Sequence, residues 1–278
     1  MNNDPRLSRL EKVLAEIAPD KRLAIAFSGG LDSRFLSFAD KYLGSTVKLL
    51  TVRGPPISAE ETAAAVQWAQ DNGFEMELLD LNPLQMKAVE FNHTDRCYFC
   101  KKHLFLELKR RAADLPLCDG TNHSDLSHYR PGLKALSELK IHSPLAEASF
   151  SKQDNREVGA LIGLDHWDQA ARPCMLTRLP YNQKVLASDL TAVGEAETAL
   201  NRYFAGLNKG EIRFRLRKVS PETFEMHIQR EDFERLSREE RADAAHLLAS
   251  FPLFAAAQWK PMDKLSGYFD QLLEQPAH

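Results

Sequence analysis

Arg22-Leu23-Ala24-Ile25-Ala26-Phe27, followed at once by Ser28-Gly29-Gly30-Leu31-Asp32-Ser33, is the stretch on which the fold turns. A compact apolar run bounded by turn residues predicts a buried strand. Two glycines break it, and from Leu31 to Leu43 the apolar residues Leu31, Phe35, Phe38 and Tyr42 recur at helical spacing. The same alternation repeats downstream. Thr46 to Val52 predicts a second strand, ended by Gly54-Pro55-Pro56. Ser58 with Glu60 and Glu61 predicts a capped helix running to Asp71. Phe74 to Leu81 predicts a third strand, Pro83 to Phe91 and Tyr98 to Ala113 predict helices, and Leu115 to Cys118 a fourth strand. Upstream, Glu11 to Ile17 reads as a short amphipathic helix. Strand and helix in turn predict an α/β fold, a parallel sheet with helices on both faces. Such sheets bind ligands beyond the carboxyl ends of their strands, where the loops at Ser28 and Asp119 lie.

After Tyr181 the texture changes. Ala187 to Tyr203 is helical, Glu211 to Lys218 and Thr223 to Ile228 alternate like half-exposed strands, and Glu231 to Leu248 is helical again. This predicts a small C-terminal α+β domain at residues 183–278, beside a larger α/β domain at residues 1–182. Hydrophobic residues make up 44% and charged residues 27% of the 278, an ordinary globular composition. Lys and Arg total 36 against 39 Asp and Glu, a net charge of -3 that argues against general nucleic-acid coating. No apolar run is long enough to span a membrane. Met1 to Arg9 is polar and does not read as a signal peptide, so a cytoplasmic location is expected. Four cysteines in a reducing compartment point to metal or sulfur chemistry rather than disulfides.

The loop Ser28-Gly29-Gly30-Leu31-Asp32-Ser33 follows a strand and opens a helix. Its glycines let backbone N–H groups approach an anion, and the helix start adds a favourable dipole. Ser28 and Ser33 can donate hydroxyls to phosphate oxygens, and Asp32 can hold Mg²⁺ beside a pyrophosphate. Neither a G-x-x-x-x-G-K-[ST] nor a G-x-G-x-x-G sequence occurs, so Walker and dinucleotide readings fail.

Arg96-Cys97-Tyr98-Phe99-Cys100-Lys101-Lys102 carries a C-x-x-C flanked by base, and Cys174 stands far away between Arg172 and Arg178. The positive charge favours thiolates, which both nucleophilic attack and metal ligation require. A pair plus one suits a 4Fe–4S cluster on three thiolates, or zinc completed by His93 or His103. Cys118, inside an apolar strand, reads as a small buried hydrophobe.

The glycine loop resembles the PP-loop of the ATP pyrophosphatase superfamily, whose fold is the adenine nucleotide alpha hydrolase-like sheet. Asp119-Gly120-Thr121-Asn122, Tyr129-Arg130-Pro131-Gly132, Ser143-Pro144-Leu145-Ala146-Glu147-Ala148, Trp167-Asp168, Arg172-Pro173-Cys174 and Arg178-Leu179-Pro180-Tyr181 are similar to LarE-type sulfur transferases over about residues 10 to 230. The resemblance implies an ATP-dependent enzyme of nickel-pincer nucleotide biosynthesis. ATP adenylates a carboxylate on a pyridinium mononucleotide, and sulfur displaces AMP to leave a thiocarboxylate. It implies ATP binding by Ser28, Gly29, Gly30, Asp32 and Ser33, with Asp32 the Mg²⁺ ligand. The family draws sulfur either from a sacrificed cysteine, here Cys174, or from a 4Fe–4S cluster, here on Cys97, Cys100 and Cys174. The three-cysteine pattern looks more like the cluster form. Two departures from the family pattern are Thr177 in place of Ser and Asn182 in place of Gly.

Arg213 and Arg215 alternate on one strand, so they share a face. Family similarity makes them a clamp for the mononucleotide phosphate, which Arg suits through bidentate hydrogen bonding. Lys101 is a further phosphate candidate. Asp125 and Glu147 are candidate Mg²⁺ or supporting groups. Trp68 is expected in the helix core and Trp167 packed beside the cysteine loop. The expected partners are a small-molecule nucleotide and further copies of the chain, with no membrane and no nucleic acid. The rival readings are a tRNA thiolation enzyme and a non-catalytic nucleotide- or metal-binding protein.

Overall fold

The computed structural model describes residues 4–127, 131–169 and 172–274. Tyr129 and Arg130, half of the Tyr-Arg-Pro-Gly motif, lie outside them. The chain divides into two compact units, one formed by Met1–Val89 with Asp95–Arg172, the other by Glu90–Thr94 with Pro173–His278.

The first unit begins with α1 (Pro5–Ile17), which starts earlier than its apolar pattern suggests because Asp4 caps it and Pro5 sits at its first turn. Then come β1 (Arg22–Ala26), α2 (Leu31–Tyr42), β2 (Thr46–Arg53), α3 (Ala59–Asp71) and β3 (Glu75–Asp80). The single helix expected over residues 83–91 is instead a 3-10 turn at Pro83–Gln85 and a four-residue α4 (Lys87–Glu90). Asn82 caps the turn through Leu84 N–H, and Met86 at its end is extended. α5 (Arg96–Ala112) and β4 (Leu117–Asp119) follow, then α6 (Pro131–Glu138), α7 (Pro144–Glu147) and α8 (Lys152–Ile162).

All four strands are parallel, in the order β3-β2-β1-β4. The chain winds outward from β1 to β3, then crosses back to place β4 on β1's other side. The order reverses at β1, so the loops after β1 and β4 emerge side by side at the crevice where α/β sheets take ligands. Leu23, Ile25 and Leu49 are buried toward α1, α2 and α3, while Ala24, Leu50 and Leu117 are buried toward α5 and α6. Both faces are covered, which is why these strands read as near-continuous apolar runs.

The second unit holds α9 (Ala187–Gly206), β5 (Phe214–Ser220), β6 (Thr223–Gln229), α10 (Arg230–Arg235), α11 (Arg238–Ala249), β7 (Gln258–Met262) and α12 (Tyr268–Glu274). The helix expected over 231–248 is broken at Leu236–Ser237, because Ser237 and Glu240 form a capping box that starts a new helix. β5 and β6 pair antiparallel, and β7, which its Pro261 and short length hid in the sequence, adds parallel to β6. Among the described residues no helix is long and apolar enough to cross a membrane.

Candidate active site

The loop after β1 is held by packing that excludes any side chain. Gly29 has φ +71°, and a Cβ there would lie 2.7 Å from the Cβ of Ala65 on α3. Gly120, in the loop after β4, comes so close that a Cβ would sit 2.9 Å from Ser33 N. The two loops at the switch point are thus in direct backbone contact, and both glycines are required by space. Ser28 and Ser33 face each other at 3.2 Å between hydroxyls, and Ser33 Oγ donates to Gly30 C=O. Asp32 lies in the first turn of α2, which suits a carboxylate electrostatically.

Asp32 accepts a 2.7 Å hydrogen bond from Asn155 Nδ2 of α8. Burial raises its pKa, opposed by that bond and by Lys152. Lys152 Nζ lies 3.5 Å from Asp125, whose charge also bears on Asp32. Beside them Asn122 is fully buried, and neither of its amide atoms makes a well-formed hydrogen bond. Two carboxylates and a buried amide with spare capacity make a hard oxygen donor set of the kind Mg²⁺ takes. Asp119 accepts from Thr121 N–H and Oγ1 and from Ser143 Oγ, with Lys101 Nζ 3.8 Å away. The Lys101 stem lies across Gly132, where a Cβ would meet its Cδ at 2.7 Å. Lys101 is therefore aimed at the end of β4. Glu147 accepts from Ser143 N–H and closes the turn of α7.

Cys97 and Cys100 sit one helical turn apart at the start of α5, Cys97 exposed and Cys100 half-buried. Cys174 is exposed, just before a 3-10 turn at Met175–Arg178, and belongs to the second unit. None of the three is in a disulfide, and as thiolates they are soft donors whose chemistry fits zinc or an iron–sulfur cluster. Among the described residues no three His, Cys, Asp or Glu side chains gather as a metal site. Cys118 is fully buried, and burial raises its thiol pKa well above the usual value, as its place inside β4 implies. Trp68 is core, but Trp167 is 43% exposed, contrary to the expected packing. Thr177 keeps the hydroxyl of the usual Ser and donates it to Cys174 C=O at 2.8 Å. Asn182 adopts φ +57°, the left-handed region that glycine would favour, so the chain bends there without glycine.

The second unit distributes its arginines unevenly. Arg213, one residue before β5, is bound by Asp232 at 2.7 Å and by Glu231 at 3.2 Å. Arg215 donates to Leu265 C=O at 3.0 Å, as does Arg217. Arg217 is 1% exposed and its Nε has no hydrogen-bond partner. Arg178 pairs with Glu197 through two hydrogen bonds, at 3.1 and 2.9 Å. Burial and the Arg178 charge push Arg215 down to about 10. Burial, Arg215 and Arg178 push Arg217 down to about 9. Three guanidiniums so crowded, with Glu197 bearing on each of them, form an electropositive centre. Arg217 and Arg178 were not singled out in the sequence as members of it, although Arg217 continues the two-residue alternation of Arg213 and Arg215.

No family model matches the chain. It is 36% identical to an uncharacterized protein of Synechocystis over 74% of this chain and 78% of the relative. It is 31% identical to an uncharacterized protein of Methanocaldococcus jannaschii over 76% of this chain and 80% of that protein. It is 30% identical to the pyridinium-3,5-bisthiocarboxylic acid mononucleotide synthase of Lactiplantibacillus plantarum, over 73% of this chain and 74% of the synthase. By this similarity the chain, with its switch-point glycine loop, belongs to the LarE family, that of the pyridinium-3,5-bisthiocarboxylic acid mononucleotide synthases.

Proposed function

We propose that the protein is an ATP-dependent sulfur transferase that makes thiocarboxylate groups on a pyridinium mononucleotide for a nickel-pincer cofactor. The observation that carries this reading is the close approach of Gly120 to the backbone of Asp32 and Ser33, with Gly29 pressed against Ala65, a backbone cradle at the sheet's switch point in a chain related to the Lactiplantibacillus synthase. The N–H groups of residues 29–33 and the hydroxyls of Ser28 and Ser33 hold the β- and γ-phosphates of ATP. Asp32, with Asp125 and Asn122 beside it, would hold Mg²⁺, which would neutralise charge on the departing pyrophosphate. A substrate carboxylate oxygen attacks the α-phosphorus, the bond to the β-phosphate oxygen breaks, and pyrophosphate leaves with the electron pair.

Lys101 and Asp119 border the same crevice, where Lys101 offsets negative charge on the phosphates. Arg215, backed by Arg217 and Arg178, takes the mononucleotide phosphate, while Arg213 serves its own carboxylates. In the second half, sulfur attacks the acyl carbon, a C–S bond forms, and the C–O bond to AMP breaks. Cys97, Cys100 and Cys174 are the sulfur-bearing candidates: as thiolates they would hold a 4Fe–4S cluster, which would supply the sulfide for this step.

The test is turnover with ATP, Mg²⁺ and the pyridinium dicarboxylate mononucleotide under anaerobic conditions with sulfide. Pyrophosphate, AMP and thiocarboxylate should appear in equal amounts over many cycles, and Cys97→Ser, Cys100→Ser and Cys174→Ser should each lose iron and activity. A single turnover that leaves the protein lighter by about 34 Da at position 174 would make Cys174 the sacrificed donor, by β-elimination of its sulfur to dehydroalanine. Pyrophosphate release that requires tRNA would replace this reading with tRNA thiolation.

A further inference from the structure

Arg215 and Arg217, two residues apart on β5, send their guanidiniums to one atom. Arg215 Nη1 donates to Leu265 C=O at 3.0 Å, and Arg217 Nη2 donates to the same oxygen. Leu265 belongs to the stretch that follows β7. Gly267, at φ +74°, turns the chain, and Tyr268 at the start of α12 lays its ring on Arg217, with 5.0 Å between guanidinium carbon and ring centroid. The same ring meets His227 edge-on at 4.4 Å, and Lys260 Nζ lies 5.8 Å from it. His227 Nδ1 accepts from Arg217 Nη1 at 2.6 Å. The Arg217 guanidinium is thus held by β6 through His227 and covered by residues 265–268.

A backbone carbonyl is a neutral acceptor, and here its lone pairs serve two cations at once. It satisfies two N–H groups and neutralises no charge. A phosphate oxygen at the same point would do both, and a phosphate also matches the guanidinium fork bidentately. The point that both guanidiniums reach together is therefore held by a weaker partner than the phosphate proposed for it. The stretch that supplies this partner is lightly fastened. At its root Gln229 Nε2 donates to Asp263 C=O at 2.8 Å, and Arg230 Nε to the Asp263 carboxylate at 2.5 Å, both on the surface. Near its far end Tyr181 Oη donates to Asp270 Oδ1 at 2.6 Å, also on the surface. Exposed ties of this kind contribute little. Of residues 268–273 only Phe269 is buried, and Leu272 and Leu273 are exposed. Few buried apolar contacts and solvent-facing hydrogen bonds mark a segment that opens locally.

We propose that residues 263–274 are a strap over the phosphate subsite: Leu265 C=O occupies the point between Arg215 and Arg217, and the mononucleotide phosphate displaces it to bind. The strap thereby sets affinity, because apparent binding is reduced by the fraction of molecules in which it stands open. This rests on the assignment of Arg215 to the mononucleotide phosphate made above.

Lys264 is exposed and immediately precedes Leu265, so trypsin reports on the strap at that bond. Cleavage there, read by mass spectrometry as release of residues 265–278, should quicken at least about fivefold with saturating pyridinium dicarboxylate mononucleotide, since cleavage tracks the open population. Arg215→Ala should lose that response. Asp263→Ala and Asp270→Ala each cut one tie and touch neither Arg215 nor Arg217. Both should tighten mononucleotide binding at least about threefold in calorimetric titration, by raising the open fraction, and Asp270→Ala should quicken cleavage without ligand. A stretch that only packs the fold would give weaker or unchanged binding in the two variants. Mononucleotide that binds yet slows cleavage or leaves it unchanged, or variants that bind no tighter than wild type, overturns the inference and leaves the proposed function standing. Absence of mononucleotide binding in the wild type and in both variants removes both.

Discussion

The two units prepare for anions in opposite ways. The first uses backbone: Gly29 lets the loop press against Ala65, Gly120 lets the neighbouring loop approach Ser33, and the charge in reserve is a helix start. The second uses side chains: Arg215 and Arg217 of β5 and Arg178 of the 3-10 turn before α9 crowd around the carboxylate of Glu197. A backbone cradle is cheap to keep empty, because its groups are uncharged and some find local partners, as Ser28 N–H does in Ser33 Oγ and Gly30 N–H in Ser28 Oγ. A buried guanidinium cluster is costly to keep empty, because each charge is desolvated before any ligand arrives. Any ligand that binds the folded state stabilises it, but only in the second arrangement does a bound phosphate also offset a desolvation already present in the empty protein.

The largest expected effects test the cradle. Gly120→Ala places a Cβ 2.9 Å from Ser33 N, against backbone that cannot swing aside, and Gly29→Ala adds left-handed strain to a 2.7 Å clash. Both variants should abolish ATP binding, checked by calorimetric titration. Asp32→Asn, which keeps the Asn155 contact within reach, should bind ATP yet lower pyrophosphate release on the order of 10²–10³-fold, as loss of one electrostatic stabiliser does. Near wild-type release in Asp32→Asn would remove Asp32 from the chemistry.

The arginine cluster comes next. Arg215→Ala should weaken mononucleotide binding roughly tenfold or more, a charge-assisted contact being worth about 1.5–3 kcal/mol. Arg217→Met should weaken it less and leave the melting temperature unchanged or higher, because a desolvated charge is replaced by an apolar chain. A lower melting temperature with unchanged binding would make the cluster structural. Arg213→Ala should leave binding intact, since its charge is committed to Asp232 and Glu231.

These differences track how far each region could be read in the sequence. The glycine loop was legible because strand, loop and helix are contiguous, so a dozen residues carry both the geometry and the chemistry. The switch-point neighbour, Asp119-Gly120, was found as a strand end, yet its contact with Ser33 is a consequence of strand order, which no local pattern encodes. Arg213 and Arg215 were found by alternation, but partner choice is set by α10, whose Asp232 captures Arg213. Arg178 was noted as a charge near Cys174, and its membership in the cluster depends on Glu197 of α9, nineteen residues away. The break at Ser237 was present in the sequence as a Ser-x-x-Glu box, masked by apolar spacing that continues across it.

The units also bury titratable groups of opposite sign. Asp40, on α2, is fully buried, and neither of its oxygens makes a well-formed hydrogen bond. Burial pushes it up to about 6, against the lowering pull of Ser45 and Lys21. Because the folded value is raised above the usual 3.8, this group's contribution is favourable below about pH 4 and is lost as pH rises through 6. The loss is about 3 kcal/mol at about 1.4 kcal/mol per pH unit. His227, on β6, is fully buried between Arg217, 2.6 Å from its Nδ1, and Glu225, 2.5 Å from its Nε2. A guanidinium can only donate, so Nδ1 accepts and Nε2–H faces Glu225. Burial, together with Arg217 and Lys260, holds His227 down to about 4 against the pull of Glu225, and Tyr268 packs on its ring. Here the folded value is depressed, so stability is full above about pH 6.5 and falls as pH drops toward 4, again by about 3 kcal/mol. Asp40→Asn should therefore stabilise the protein at pH 7.5 and not at pH 4, and His227→Gln should flatten the loss between pH 6.5 and 4. Denaturant midpoints across pH check both signs.

The smallest effects ask whether the units unfold separately. Among the described residues each has a capping box: Ser151 with Asp154 at the start of α8, and Ser237 with Glu240 at the start of α11. The two are matched in design, since each acidic member is also held by a cation, Arg6 on Asp154 at 2.9 Å and Lys209 on Glu240 at 2.6 Å. Ser151→Ala and Ser237→Ala should each cost about 1 kcal/mol, the usual worth of a cap. Scanning calorimetry then reads where that energy goes. If the units are independent, Ser151→Ala lowers one transition and Ser237→Ala the other, and saturating mononucleotide raises the transition sensitive to Ser237→Ala, because that unit carries the arginines proposed to take its phosphate. If both substitutions lower a single transition equally, the stabilisation by phosphate is shared by the whole chain, and the contrast between a backbone cradle and a guanidinium cluster is one of chemistry alone.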